Sequence, residues 1–511
     1  MKKIRMLPIF LLALVLLVGY QAPARAAASI VVAQDDAPRM MNPQGDDTDS
    51  GLQYMANFFD GLLQRKGPDG TLAPALAVRW ERLDALSWKF WLRKGVKFHN
   101  GNPFTAQDVK FTFERLSNPE VSEFVNTGKS IDKIDIIDDY TVVIKTKEPI
   151  PWFANNMHQI FIMDKEDTES RDPGDVMIRP MGTGAYKFVE WVKGSYVKME
   201  ANEDYWEGAP PIKKVDIRPI TEASTRFAAL ASGQVDMMTG VPVELYDKLV
   251  GNPQLAVVSR PARRSIFLAL TNKPGTPTAD IRVRKAMYMA INENEIIEKI
   301  MRGHASPAAQ IPDPPTIGYR DDLKRLPYDL ETAKNLMKEA GYGNGFEITF
   351  SGPNDRYIQD ANIAEAVAKY WAKIGIKATL DLKPKSIFFP EVHEGKTDYY
   401  LVGWFDGTFD MGRTYFKLAH TRDMDKGFGE WNGAHYSNAE LDKLLESTAD
   451  IVDIAKREKV LQDLNKMAMV DLIVWIPLHY QVDIYALQKG KGIDFQPRPD
   501  RWMVYKEILM K

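Results

Sequence analysis

Along nearly the whole chain, short runs alternating apolar with polar residues give way to stretches with apolar residues three and four apart. This alternation of strand and helix patterns restricts the fold most, because it implies sheets covered by helices. Residues 29–35 are a β-branched run and read as a strand. Leu52, Met55, Phe58, Phe59 and Leu62 then share one helical face. Trp88, Phe90 and Leu92 alternate with Lys89, Trp91 and Arg93, with Val96 and Phe98 following Gly95. This reads as a hairpin-like segment that ends in the turn residues 99–103. Residues 105–108 open a helix with Val109, Phe113 and Leu116 inward, and residues 141–145 form a strand.

Residues 186–191 and 197–199 read as a second hairpin. A strand at 214–218, a helix capped by Thr221 and ended by Gly233, and a strand at 235–238 form a βαβ unit. Such a unit implies a parallel pair with a right-handed crossover. The second half is richer in helix: 282–291, a helix capped by Asn292 and running to Met301, one capped by Asp329 and closed by Gly341, and 363–374. Strands fall at 346–350, 377–382, 399–404 and 473–480, and Ser437 to Glu440 is a capping box. At about 150 residues per domain, 511 residues imply two to four domains. No internal repeat stands out, and the class is α/β or α+β with several lobes.

The first residues read as an export signal. Lys2, Lys3 and Arg5 precede an apolar run at 6–19, and Ala24-Arg25-Ala26 supplies a cleavage site. The run is shorter than the roughly 20 residues that span a bilayer; an uncleaved anchor is the competing reading. There is no cysteine. Disulfides, thiolate metal sites, cysteine nucleophiles and an N-terminal lipid anchor are therefore excluded. With a net charge of −3 there is no basic footprint for nucleic acid.

Catalytic motifs fail at their defining positions. Thr127-Gly128-Lys129-Ser130 mimics the end of a phosphate loop, but Glu123 stands where the first glycine belongs. His393-Glu394 lacks a second histidine at position 397, which is Thr397. Gly182-Thr183-Gly184 lacks a third glycine, with Lys187 in its place. The seven histidines show no ligand spacing, so no metal and no cofactor are expected. Asp406 and Asp410 are the carboxylates that a secreted hydrolase could use as acid and base.

Leu86-Ser-Trp-Lys-Phe-Trp-Leu-Arg-Lys-Gly-Val-Lys-Phe-His-Asn-Gly101, followed by Pro103-Phe-Thr-Ala-Gln-Asp-Val109, closely resembles the signature of the family 5 extracellular solute-binding proteins. These are the peptide, opine and nickel receptors of bacterial ABC importers. Gly182 to Tyr186, Asn202 to Trp206, Arg282 to Ala286 and Tyr436 to Leu441 match further family motifs in the expected order. The resemblance covers nearly the whole mature chain. It implies a periplasmic-binding-protein-like α/β clamp of two lobes with an additional inserted α+β domain. On that pattern 1–26 is a signal peptide, lobe I comprises 27–72, 183–268 and 482–511, the inserted domain is 73–182, and lobe III is 269–481.

The resemblance also implies a function. The lobes close on a short peptide or peptide-like ligand and deliver it to an ABC permease and ATPase complex in the inner membrane. An oligosaccharide, opine or small organic anion is the alternative ligand, and nickel is disfavoured by the lack of a histidine cluster. The receptor is expected to be a monomeric, periplasmic, non-enzymatic protein. Gly403 to Asp410 occupies the place of a cleft-facing family segment. Peptide binders carry an amine-binding aspartate three residues after the tryptophan; here that position is Gly407, preceded by Asp406. Candidate ligand contacts are therefore Asp406 and Asp410, Trp404 and Phe405 as walls, and Arg356 as a fork for a carboxylate. Asn42 and Gln44, after the first strand, and Tyr480 and Gln481, where the chain crosses back, complete the set.

Overall fold

The computed structural model describes residues 28–314 and 316–511. The export-signal reading at 1–26 lies outside the described residues. One eleven-stranded sheet runs through both lobes. Ile376–Lys383, Phe346–Pro353 and Tyr399–Trp404 lie at one end. Met237–Met238, Ser29–Gln34, Lys214–Pro219, Tyr196–Ala201 and Tyr186–Val192 lie at the other. Two long antiparallel strands, Leu255–Leu270 and Trp475–Gln488, join the ends.

The ladder between the long strands is broken midway. Pro261 pairs with Val482 and Ser265 with Tyr480, so Ala262, Arg263 and Arg264 face only Gln481. Extra residues on one strand bend and twist a ladder locally. This break is the crossing point between the lobes.

Each lobe buries both faces of its part of the sheet. In the second lobe Ile266, Leu268 and Leu270 pack with Met287 and Trp371 on one face. Phe267 and Ala269 pack with Tyr415 and Trp475 on the other. The period-two alternation of a strand produces this division. In the first lobe Ile30, Val32, Phe58 and Ile217 share a core with Phe495, Trp502 and Tyr505 from the end of the chain. A separate four-stranded sheet, built from Ala77–Arg82, Ser87–Leu92, Thr141–Thr146 and Ile131–Asp138, has its own core around Phe90, Phe113 and Phe153.

Several sequence expectations are corrected. Ser87–Leu92 pairs with Ala77–Arg82 and Thr141–Thr146, not with the residues after Gly95. Lys214–Pro219 and Met237–Met238 are not neighbours: Ser29–Gln34 lies between them, parallel to both. An earlier strand thus fills the gap that a local βαβ reading leaves. The cap of Ala223–Ala231 is Glu222, not Thr221. Asn438, not Ser437, caps Ala439–Ser447, through its side chain and Leu441 N–H. The helix capped by Asn292 ends at Lys299. Among the described residues no helix is long and apolar enough to cross a membrane.

Candidate ligand cleft

Two adjacent arginines at the crossing point leave on opposite faces of the sheet. Arg263 donates to Asp313 at 2.6 and 2.8 Å and to Thr316 at 2.5 Å. Arg264 is 7% exposed, and its nearest carboxylate is Asp49, at 3.7 Å on a half-exposed side chain. The ring of Tyr357 lies 5.8 Å from its guanidinium carbon. Burial, reinforced by Arg356 and Arg501, pulls Arg264 down to about 10. A buried cation flanked by Arg356 and Arg501, and only partly offset by Asp49 and Asp483, is an electrostatic complement for an anion.

The same region holds Arg501, Asp483 and Asp35. Arg501 lies 2.9 Å from Asp483, though its N–H is not aimed for a hydrogen bond. Burial raises the Asp483 carboxyl, and Arg501 only partly offsets this. Burial acts on Asp35 in the same sense, but Arg501 and the 2.6 Å bond from Thr239 outweigh it and hold that carboxyl low.

Buried polar atoms nearly always find partners in folded proteins. Around the crossing, Arg260 Nε, Arg264 Nε, Ser265 Oγ, Trp404 Nε1 and Gln481 Nε2 have none in the protein. The corresponding unpartnered acceptors are Gln34 Oε1 and Asp483 Oδ2. Donors predominate, which suits a ligand rich in acceptor oxygens.

The predicted site residues fall into two groups. Trp404 and Phe405 are half-buried at the end of Tyr399–Trp404, with Trp404 edge-on to Trp431 at 5.9 Å. Arg356 is exposed beside Tyr357, whose hydroxyl donates to the Gly403 carbonyl at 3.0 Å. Arg356 and Arg264 therefore come together; Asp355 and Asp360 do not take the Arg356 side chain, and Asp360 instead accepts its backbone N–H.

The other candidates have partners inside the protein. Asp406 accepts from Thr408 N–H at 2.8 Å, Thr408 Oγ at 2.6 Å and Arg413 at 2.9 Å. Burial would raise this carboxyl, but Arg413 and Thr408 bring it below its ordinary range. Asp410 is 1% exposed, caps Met411–Leu418 and meets Arg457 bidentately at 2.6 and 2.8 Å. Asn42 accepts from Gln44 N–H, and the Gln44 amide is held by Thr112 and Arg115. The Tyr480 hydroxyl donates to the carbonyls of Gln310 and Pro312. Gln481 is buried at the ladder break with its amide nitrogen unpartnered. At Gly407, any side chain would run into the Gln159 amide.

The family motifs build scaffold. Thr183, Tyr205 and Trp206, from two of them, all donate to buried Asp60 at 2.9 Å. A Cβ at Gly184 would press on the backbone of Phe58 and Phe59 at 2.4 and 2.6 Å. Arg284, from a third motif, donates to the carbonyls of Thr278 and Leu472 at 2.6 and 2.7 Å. Asp60 and Arg264 were not singled out by sequence reasoning. The signal for Arg264 was available: paired arginines open an otherwise apolar run at 265–270.

A two-lobed sheet crossed by two long strands, with an unpaired polar cluster at the crossing, defines a clamp for a polar solute. Residues 71–426 match the profile of the bacterial extracellular solute-binding proteins, family 5 Middle. The chain belongs to this family, whose members serve as solute receptors of ABC importers. It is 30% identical over 479 residues to heme-binding protein A of Haemophilus influenzae, covering 86% of this chain and 84% of that one. It is also 30% identical over 500 residues to the glutathione-binding protein GsiB of Pectobacterium atrosepticum, covering 95% of each. Among solved structures it resembles the periplasmic binding protein DppA of Helicobacter pylori in complex with the peptide STSA. That match has a TM-score of 0.77 at 25% identity and covers 95% of this chain and 98% of that one.

Proposed function

We propose that this chain captures a short peptide or peptide-like solute through a carboxylate, and that Arg264 and Arg356 hold that carboxylate. The observation that carries this is the buried Arg264 guanidinium with an unpartnered Nε–H, whose one carboxylate within 4 Å is the half-exposed Asp49 at 3.7 Å. Relatives named for glutathione and for the peptide STSA support the ligand class. Trp404, Phe405 and Tyr357 supply walls, and Gln481 and Ser265 offer further polar contacts.

The lobe assignment 27–72, 183–268 and 482–511, with 73–182 inserted and 269–481 as lobe III, is part of this proposal with one boundary moved: Ile266, Phe267 and Leu268 lie in the second lobe's cores, so the second segment of lobe I ends at the ladder break after Pro261 and lobe III begins there. Its support is the shared core of Ile30, Ile217 and Trp502 and the separate core around Phe90. The receptor acts as a monomer in the periplasm after cleavage at Ala26, and hands its solute to a membrane permease driven by an ATPase.

One observation favours a non-peptide organic anion as the second reading. Asp406, the nearest substitute for an amine-binding aspartate, is already paired with Arg413. Ion pairing of Asp406 and Asp410 likewise makes both poor general bases and weighs against hydrolysis.

A thermal-shift panel of di- and tripeptides, opines, oligosaccharides and organic acids tests the reading. A ligand at 100 times its dissociation constant adds about 2.7 kcal/mol. Stabilisation by carboxylate-bearing members is expected. Stabilisation by neutral sugars alone sinks it.

A further inference from the structure

The loop after Tyr399–Trp404 reaches across the cleft and is gripped from the other side. Arg65, in the first-lobe strand Leu63–Lys66, donates to the Gly407 carbonyl at 3.2 Å and to the Thr408 carbonyl at 2.8 Å. Asn155, beside the separate four-stranded sheet, donates to the same Thr408 carbonyl at 2.8 Å. Phe409 lies under both Arg65, at 3.9 Å, and Arg263, at 3.2 Å. Two guanidinium groups that close cannot share one face of a ring, so Phe409 is sandwiched between cations from opposite sides of the cleft. The ring also packs against Gly70, where a side chain would collide with it at 2.7 Å.

Two features show that the loop is built for this contact. Phe409 has φ 58°, a conformation that a bulky residue keeps only when its surroundings enforce it. Asp406 fixes the turn by binding Thr408 N–H, Thr408 Oγ and Arg413 together, which aims the Thr408 carbonyl outward. Each of these contacts joins one protein group directly to another.

We propose that the Thr408 carbonyl with Arg65 and Asn155 forms a solute-independent latch between the lobes, and that Asp406 is the positioning residue that shapes it. The ligand-free receptor then populates the closed state appreciably. The latch raises affinity for every solute alike, since closure is partly achieved before binding. This inference does not depend on which ligand is bound.

The native absence of cysteine allows paired spin labels at exposed Glu120→Cys and Lys426→Cys. Distance distributions are measured on the ligand-free full chain. A short-distance population is expected in the parent. Asn155→Ala removes one half-buried amide donor and should lower the closed-to-open ratio roughly fivefold. Arg65→Ala should lower it further, and Asp406→Asn should lower it with Arg65 and Asn155 intact. Thermal melting of each variant confirms folding; if Arg65→Ala does not fold, Asn155→Ala and Arg65→Lys decide. A parent showing only the long distance, or variants with the parent's distribution, overturns the latch.

Discussion

Asp410 shows what side-chain surroundings decide about function. Its carboxylate meets Arg457 in a bidentate pair that is almost fully buried. Removing one partner of such a pair typically costs about 3–5 kcal/mol, because the other charge is left buried alone. Asp410→Ala should therefore lower unfolding free energy by that amount in urea titration, while ligand affinity of the folded fraction stays near the parent value. A selective loss of affinity at parental stability would place Asp410 in the ligand site instead. His158 behaves differently. It is 3% exposed, and burial, followed by the nearby Arg65 charge, takes it down to about 3. Its folded value lies below its unfolded value near 6.5, so the unfolded chain binds the extra proton. Its contribution to stability is complete above pH 6.5 and drains away as pH falls toward 3. Between pH 7 and 5 the parent should lose about 2 kcal/mol that His158→Gln does not lose. Parallel pH profiles for the two proteins would refute the assignment.

Asp60 binds elements together in the same way that Asp410 binds a loop to a helix. It receives Thr183, Tyr205 and Trp206 from segments more than a hundred residues away. Asp60→Ala leaves three donors without their acceptor, and each orphaned buried group costs about 1–3 kcal/mol. Loss of more than about 3 kcal/mol in denaturant unfolding is expected; a loss below 1 kcal/mol would mean that water replaces the carboxylate fully. Most individual elements were legible. Tyr399–Trp404 lies where residues 399–404 read as a strand, and the helix read as opening at 105–108 starts there, with Thr105 and Asp108 forming a capping box. Local pattern sufficed there because propensity, cap and burial agree. The strand Leu255–Leu270 was not read, since Arg260, Pro261, Arg263 and Arg264 interrupt its apolar pattern. Those residues lie at or beside the ladder break, where the regular strand pattern is interrupted. The candidate site was legible by region and less so by role. Trp404 ends the strand that the sequence pattern gives and Arg356 lies beside Tyr357, which bonds that strand, whereas pairing of Asp406 with Arg413, seven residues on, depends on a turn that spacing does not encode.

The whole molecule is a clamp whose halves share one sheet. Solute can favour the closed form only through contacts that the open form lacks, and on the proposed reading Arg264 with Arg356 would supply such contacts for an anion. Their distance along the chain, with Arg264 on a crossing strand and Arg356 after Phe346–Pro353, explains why only folding assembles them. Arg264→Ala should therefore weaken carboxylate ligands about 10- to 100-fold while sparing the fold, since it removes a buried like-charge repulsion as well as an anchor. The decisive measurement is calorimetric titration of one stabilising peptide, as the free acid and as the C-terminal amide, into the parent and into Arg264→Ala. Binding of the free acid to the parent, with comparable losses on amidation and on Arg264→Ala and little further loss when both are combined, is predicted. Equal affinity of acid and amide for the parent would contradict carboxylate capture at the crossing of the lobes.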